Sequence, residues 1–473
     1  MQMEFGGIER LFIELIDQVG EGDQLFQTRS REGIFSPALT MWLSINCWAK
    51  GEKGLAAALE ALQAGEASEV FERNTKTRRG KIKGVSTNSG GLSRARERLK
   101  LDDIRQLSQR MNELLIREKT PEKLWRGRRV YLFDGTVVTL TRNAKVLEEF
   151  KPIRNQHGES YTPKILVGCC HEVFSGIALN PRFGAYRGKA KTHEAKLFVD
   201  VMDEVPESSL LIADRGLGIF PIAYEAQRRN HQILVRLSST RANALARQAY
   251  AKGEYADREV VWKFSGSKMK ELEIPKDAQL SGRFIKWTAK RKGSAPLKLF
   301  FFTTSSEPAK DLIDLYLQRE RIENDIRTLK YTIGLERLIS KSPPIIGQEL
   351  LLGVLAYNLI RSIMTQAAKE LGLDARRISF TRAVRWIQLF GNKIRDATSA
   401  EEIEDYRKRF LTALYQQKLP KRIKQRIEPR KLARERQAYP LMKKSRAEEQ
   451  KIAKKILSDN GHRGYLTSVS RKY

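Results

Sequence analysis

The chain has 473 residues, more than one ordinary domain holds, and 41% of them are hydrophobic, which excludes a mainly disordered protein. Its 87 Lys and Arg outnumber 56 Asp and Glu, and the formal net charge of +31 favours polyanionic partners, nucleic acid first. Leu350 to Ile360, the longest apolar run, is broken by Gly353 and Asn358, and it falls short of the roughly 18–20 residues that span a bilayer. Cys47, Cys169 and Cys170 are too few and too unevenly spaced for a disulfide framework or a zinc site. The N-terminus, Met1-Gln2-Met3-Glu4, begins no export signal. The expectation is a cytosolic protein with reduced, buried thiols and no membrane partner.

In chain order, residues 4–63 read as helices. Phe5, Ile8, Leu11, Phe12 and Leu15 recur at helical spacing, a second helix starts near Pro37, and a third runs from Leu55 to Leu62. Arg73 to Ser93 is rich in Lys, Arg, Gly, Ser and Thr and reads as an exposed basic loop. Leu101 to Arg117 returns to helix. Strand patterns follow: Arg129 to Phe133, a turn at Asp134-Gly135, then Thr136 to Leu140, Ile165 to Val173 and Phe174 to Leu179. His193 to Val205 is an amphipathic helix, Leu210 to Ala213 a buried strand ending at Asp214, Ile219 to Arg229 a helix and Gln232 to Leu237 a strand. Residues 238–296 read as a mostly β insertion. Leu297 to Phe302 rejoins the sheet, and a long helix runs from Ala309 to about Tyr331. Residues 345–412 are helical, and from Lys418 onward the chain is a basic tail. The expected class is α/β, an open sheet flanked by helical N- and C-terminal regions. Its divisions fall at 1–118, 119–344 and 345–473.

Asp134 and Asp214 each follow a short apolar strand, and open α/β sheets bind ligands at such edges. Either one alone is weak evidence, since a strand-terminal Asp is often only a turn former. On the late helix, Tyr316, Arg319, Glu323 and Lys330 share one stripe with the spacing Y-x2-R-x3-E-x6-K, although Arg319 and Glu323 also fit a plain surface ion pair. His193 and His171 have no second His or Cys nearby at ligand spacing except Cys170, and they read as surface or helix-capping residues.

Asp-Gly-Thr at 134–136, Ala-Asp-Arg-Gly at 213–216 and the Y-R-E-K series together resemble the DDE transposases of bacterial insertion sequences, more narrowly the YREK-signature subgroup. Ser93-Arg94-Ala95-Arg96, Pro296-Leu297-Lys298, Arg321-Ile322-Glu323 and Arg426-Ile427-Glu428-Pro429-Arg430 extend the likeness over most of the chain. The resemblance implies a ribonuclease H-like core with Asp134, Asp214 and Glu323 as catalytic metal ligands for two Mg²⁺ ions, with Mn²⁺ substituting. It implies double-stranded DNA as partner, both transposon ends and target, bound by a homodimer in a synaptic complex associated with the bacterial nucleoid. It assigns DNA contacts to Tyr316, Arg319 and Lys330, and more loosely to Arg215, Arg236 and Arg241. It further implies cut-and-paste transposition through a DNA hairpin. Relatives stack a flipped base on a Trp where this chain has Leu299, so another aromatic must serve, Trp287 first and Phe300 second. Such stacking contributes ~1–3 kcal/mol per base.

Two other readings stay open. A stand-alone nuclease would share the core, but it would not need the long helical region and basic tail. A transposase-derived DNA-binding protein without activity would not need all three carboxylates.

Overall fold

The computed structural model describes residues 7–420 except 21, 28–32, 74–85, 87, 118–123, 156–157, 189, 265–273 and 292–293, together with scattered residues between 444 and 458. Met1–Pro420 forms one compact unit and Lys421–Tyr473 a second. In the second, a helical turn at 447–452 is capped reciprocally: Ser445 Oγ accepts from the Glu448 N–H at 3.3 Å, and Glu448 Oε2 accepts from the Ser445 N–H at 2.9 Å.

The first unit opens with α1 (Gly7–Gln18), α2 (Gly22–Leu25), α3 (Pro37–Lys50), α4 (Leu55–Gln63), α5 (Ser68–Glu72), α6 (Gly90–Arg98) and α7 (Leu101–Arg117). Ser36 starts α3 by accepting the Leu39 N–H at 3.2 Å, and Gly51 ends it in the left-handed region at φ 74°. The expected basic loop is shorter than its composition suggests. Helix α6 already begins at Gly90, and only Leu92 and Ala95 of its residues are buried, too few to print a helical period. Most of that loop lies outside the described residues, including Arg78, Arg79, Lys81 and Lys83.

The sheet is built from β1 (Val130–Thr139), β2 (Pro152–Asn155), β3 (Gly158–Glu172), β4 (Arg182–Ala185), β5 (Leu210–Ala213), β6 (Gln232–Arg236), β7 (Tyr255–Lys263), β8 (Gln279–Arg291) and β9 (Ser294–Thr303). Helix α8 (Ala144–Glu149) follows β1, α9 (Glu194–Met202) precedes β5, α10 (Phe220–Arg228) joins β5 to β6, and α11 (Ser239–Gln248) follows β6. The order is β2-β3-β1-β5-β6-β9-β8-β7, with β4 on β3. β1, β5 and β6 are parallel to one another, and the other pairings are antiparallel.

Three local expectations change. β1 is one continuous strand, not two joined by a turn at Asp134-Gly135, because β3 pairs with it from Tyr131 to Thr139. Phe174 to Leu179 is a turn with one isolated bridge, Ala178 to His171. Glu172 Oε2 closes that turn by accepting from the Phe174 N–H, the Ser175 N–H and the Ser175 hydroxyl at 3.1, 2.6 and 2.6 Å. Residues 238–296 contain α11 as well as β structure, and β7, β8 and β9 extend the same sheet.

The chain ends its first unit with α12 (Ala309–Tyr316), α13 (Glu320–Arg327), α14 (Pro343–Glu370), α15 (Phe380–Arg395) and α16 (Ala400–Gln416). α14 is long and apolar enough to cross a membrane, but 89% of its most apolar window is buried inside the protein, so it is a core helix. Its Asn358 bonds the Ala178 N–H and C=O and the Asn112 side chain of α7, and Gln348 donates to the carbonyls of Arg96 and Leu99. All three cysteines are free, buried thiols.

Candidate active site

Phe133 and Ala213 are the last residues paired in the parallel ladder of β1 and β5. Asp134 and Asp214 therefore leave neighbouring strands, ~4.8 Å apart, at the same level. Asp134 lies within β1, since β3 continues on its other side, while Asp214 lies past the end of β5.

Burial raises the Asp134 carboxyl to about 6; the Gly135 N–H, donating to Oδ1 at 2.8 Å, works against this, while Glu194 adds negative charge beside it. At Asp214 burial also pushes upward, but the Arg215 N–H, Arg319, the Tyr316 hydroxyl and Arg236 outweigh it, and the group sits below the usual range.

The late helix is not continuous. A 3₁₀ turn at Leu317–Arg319 separates α12 from α13, and a π-helical turn at Thr328–Thr332 follows. Such irregularities recur at functional sites. Tyr316, wedged edge-on against Phe301 with ring centroids 4.8 Å apart, donates its hydroxyl to Asp214 Oδ1 at 2.9 Å. Arg319, in the 3₁₀ turn, places Nη2 at 2.8 Å from Glu323 Oε1 and Nη1 at 3.9 Å from Asp214 Oδ2. Lys330, in the π turn, lies over the Tyr331 ring at 5.7 Å, and its charge reaches Cys169, the residue opposite Asp134 on β3. The helix thus brings Tyr316 and Arg319 to Asp214, and Glu323 is joined to them through Arg319.

Asp325, two residues after Glu323, faces the opposite way into the core. Its Oδ1 accepts from Arg361 Nη2 of α14 at 3.1 Å and from Arg376 Nη1 at 2.5 Å. Burial would raise its carboxyl, but those two arginines hold it low. His171 lies at 3.8 Å from Asp325 Oδ2, fully buried, and burial lowers its imidazole to about 4. The surface or capping role expected for His171 is therefore wrong: it is a neutral core residue. His193 does occupy the cap position of α9, exposed and without a side-chain cap bond.

The remaining expected contacts separate. Arg215 is exposed beside Asp214, and Arg236 ends β6 close enough for its charge to act there. Arg241 donates to the Arg215 carbonyl at 3.0 Å and the Gly218 carbonyl at 3.4 Å, bracing the loop after Asp214. Trp287 on β8 sits directly across from Leu299 on β9, and both share the sheet face of Phe301 and Tyr316. Phe300 points to the other face, against Phe284.

Glu194, in the first turn of α9, was not visible as a site residue in the sequence. Its carboxylate comes so close to Gly135 that a Cβ there would lie 2.2 Å from Oε1. Burial raises its carboxyl, against the Gly135 N–H and reinforced by Asp214. Only an acidic residue at a helix start hinted at it.

Among the described residues no group of three or more His, Cys, Asp or Glu side chains stands close enough together to hold a metal ion as placed. The donors present are all carboxylate oxygens, which suit a hard divalent cation that keeps several waters. Asp134, half-buried beside Glu194 and Asp214, is the group such a cation would neutralise.

Residues 125–359 match the family model described as the transposase DDE domain. The transposase InsG of insertion sequence element IS4 from Escherichia coli (strain K12) is 25% identical over 298 residues, 61% of this chain and 64% of that protein. The match thus spans less than two thirds of its curated relative. A piggyBac transposase synaptic complex with hairpin DNA, solved by cryo-EM, superposes with a TM-score of 0.41 at 11% identity, covering 88% of this chain and 85% of that one. Residues 125–359, just under half of the chain, are thus similar to the transposase DDE domain.

Proposed function

We propose that this protein binds the terminal inverted repeats of an insertion sequence and cuts and joins DNA strands there in a cut-and-paste reaction. The observation that carries this reading is the placement of Asp134 and Asp214 side by side where the parallel ladder ends, with the Tyr316, Arg319 and Glu323 helix against them. The order β4-β3-β1-β5-β6 supports a ribonuclease H-like core.

Asp134, Asp214 and Glu323 would hold two Mg²⁺ ions, with Mn²⁺ as substitute. Divalent ions supply Lewis-acid stabilisation of the attacking and leaving oxygens. Tyr316 orients Asp214 by holding one of its oxygens, and the other would ligate. Arg319, Lys330, Arg215 and Arg236 line the path of the phosphates, and Arg241 holds the loop that carries Arg215. Residues 1–118 read the end sequence, 119–344 carry the chemistry, and 345–473 complete the helical layer and add a basic tail. A dimer in the bacterial cytoplasm, on the nucleoid, would hold two ends together, the simplest closed assembly for paired cutting.

Hairpin formation needs an aromatic platform for a flipped base. Trp287 faces the same side of the sheet as Tyr316, directly across from Leu299, so it is the candidate; Phe300 faces away.

The test is cleavage of end-labelled duplex in Mg²⁺ by Asp134→Ala, Asp214→Ala and Glu323→Ala. Each is expected to lose cutting and keep end binding. Near wild-type cutting by any of them removes that residue from the catalytic set. On denaturing gels a hairpin runs at doubled length, and Trp287→Ala should diminish it.

A further inference from the structure

Arg319 is placed unlike an ordinary surface arginine. One guanidinium nitrogen donates to Glu323 Oε1 at 2.8 Å and another stands 3.9 Å from Asp214 Oδ2, while Tyr316 holds the other Asp214 oxygen at 2.9 Å. The Arg319 side chain is 23% exposed, so the pairing is less screened than at an open surface. A guanidinium has five N–H donors, and two suffice for these contacts. It remains charged at every accessible pH and pairs with phosphate in the same fork geometry as with carboxylate. The 3₁₀ turn sets this arrangement, because it places Arg319 next to Asp214 while Glu323 stays one turn away on α13.

We propose that Arg319 is a placeholder counter-ion: its guanidinium competes with divalent cations for the Asp214 and Glu323 oxygens, and a DNA phosphate that draws it away makes cation binding depend on DNA. The proposal rests on the reading of these carboxylates as the metal ligands and adds an order to that reading. Cations bind weakly to the free protein and tightly once phosphate has taken Arg319. By linkage, cations must then tighten DNA by the same factor. A nuclease built this way stays inactive in a cell rich in Mg²⁺ until DNA is seated.

Titration calorimetry of the full-length protein with Mn²⁺, with and without a mixed-sequence duplex, tests this. In the wild type the duplex should tighten Mn²⁺ by at least about fivefold, the lower range of ordinary couplings. Arg319→Gln should bind Mn²⁺ several-fold tighter than wild type without DNA, and the duplex should then add almost nothing. Arg319→Lys, which keeps a point charge without the fork, should fall between. If both variants bind Mn²⁺ no tighter than wild type in the absence of DNA, the competition does not exist. Asp214→Ala separates the two ideas. If it leaves Mn²⁺ affinity unchanged, the metal-ligand reading itself fails. If it weakens Mn²⁺ while Arg319→Gln shows no gain, only the placeholder role fails.

Discussion

Gly135 shows how a residue can be legible and still misread. The Asp134-Gly135 pair looks like a turn in sequence, yet the glycine lies in mid-strand and its missing side chain makes room for Glu194. Gly135→Ala should force that carboxylate aside, at an overpacking cost of ~1–3 kcal/mol, and cut cleavage at least tenfold. Gly135→Ala combined with Glu194→Ala should return to the level of Glu194→Ala alone; a double variant as poor as Gly135→Ala would mean the two do not clash. Asp134 carries its own test. Because burial and neighbouring charge raise its carboxyl to about 6, it holds a proton below that pH, and a cation must displace it. Mn²⁺ affinity should therefore fall as pH drops through 6, and Asp134→Asn should remove that dependence. That Asp134 and Asp214 stand at the ends of buried strand segments was readable because each follows a short apolar run. Glu194 was not, since its place depends on how α9 crosses β1, which no local spacing encodes.

Helices tell a similar story one level up. The late helix was readable as helix from Ala309 to Tyr331, but its 3₁₀ and π turns were not, because the side-chain stripe looks the same in either case. Glu323 and Asp325 stand two residues apart on α13 and should behave oppositely. Asp325 neutralises Arg361 and Arg376 in the core, so Asp325→Asn should lower stability by ~3–5 kcal/mol, as breaking a buried pair does. Glu323, half-exposed, should change stability by under ~0.5 kcal/mol as Glu323→Gln. Urea unfolding monitored by fluorescence distinguishes them, and equal shifts would contradict the packing. Helix α1 supplies a pH test. Glu9, buried and accepting the Val70 N–H at 3.0 Å, is raised to about 8 mainly by burial. The folded state thus holds this proton more tightly than the unfolded chain does, and stability falls as pH rises from 4.5 towards 8. Glu9→Gln should melt near wild type at pH 5 and clearly above it at pH 8.

At the scale of the molecule, α/β character was readable from alternating strand and helix patterns. The joining of β7 to β9 onto one sheet was not, because a pleated strand looks alike whether it extends a sheet or forms its own. The basic excess has a measurable counterpart in Lys421–Tyr473, which holds 17 Lys and Arg against 5 Asp and Glu. A chain ending at Pro420 should melt within a few degrees of the full protein, since Met1–Pro420 is compact by itself. Its DNA affinity should fall, and the dependence of log affinity on log salt should flatten, because fewer counterions are released. An unchanged slope would mean the tail does not touch phosphate. Helix α14 carries a consequence for descent. Its buried length meets the N-terminal helices at Arg96, Leu99 and Asn112 and the turn after β3 at Gly176 and Ala178. Both regions thus stand on a common floor, and neither can be exchanged with a cousin's without refitting that floor. Chimeras that swap residues 1–118 between distant relatives should therefore misfold unless α14 is carried with them.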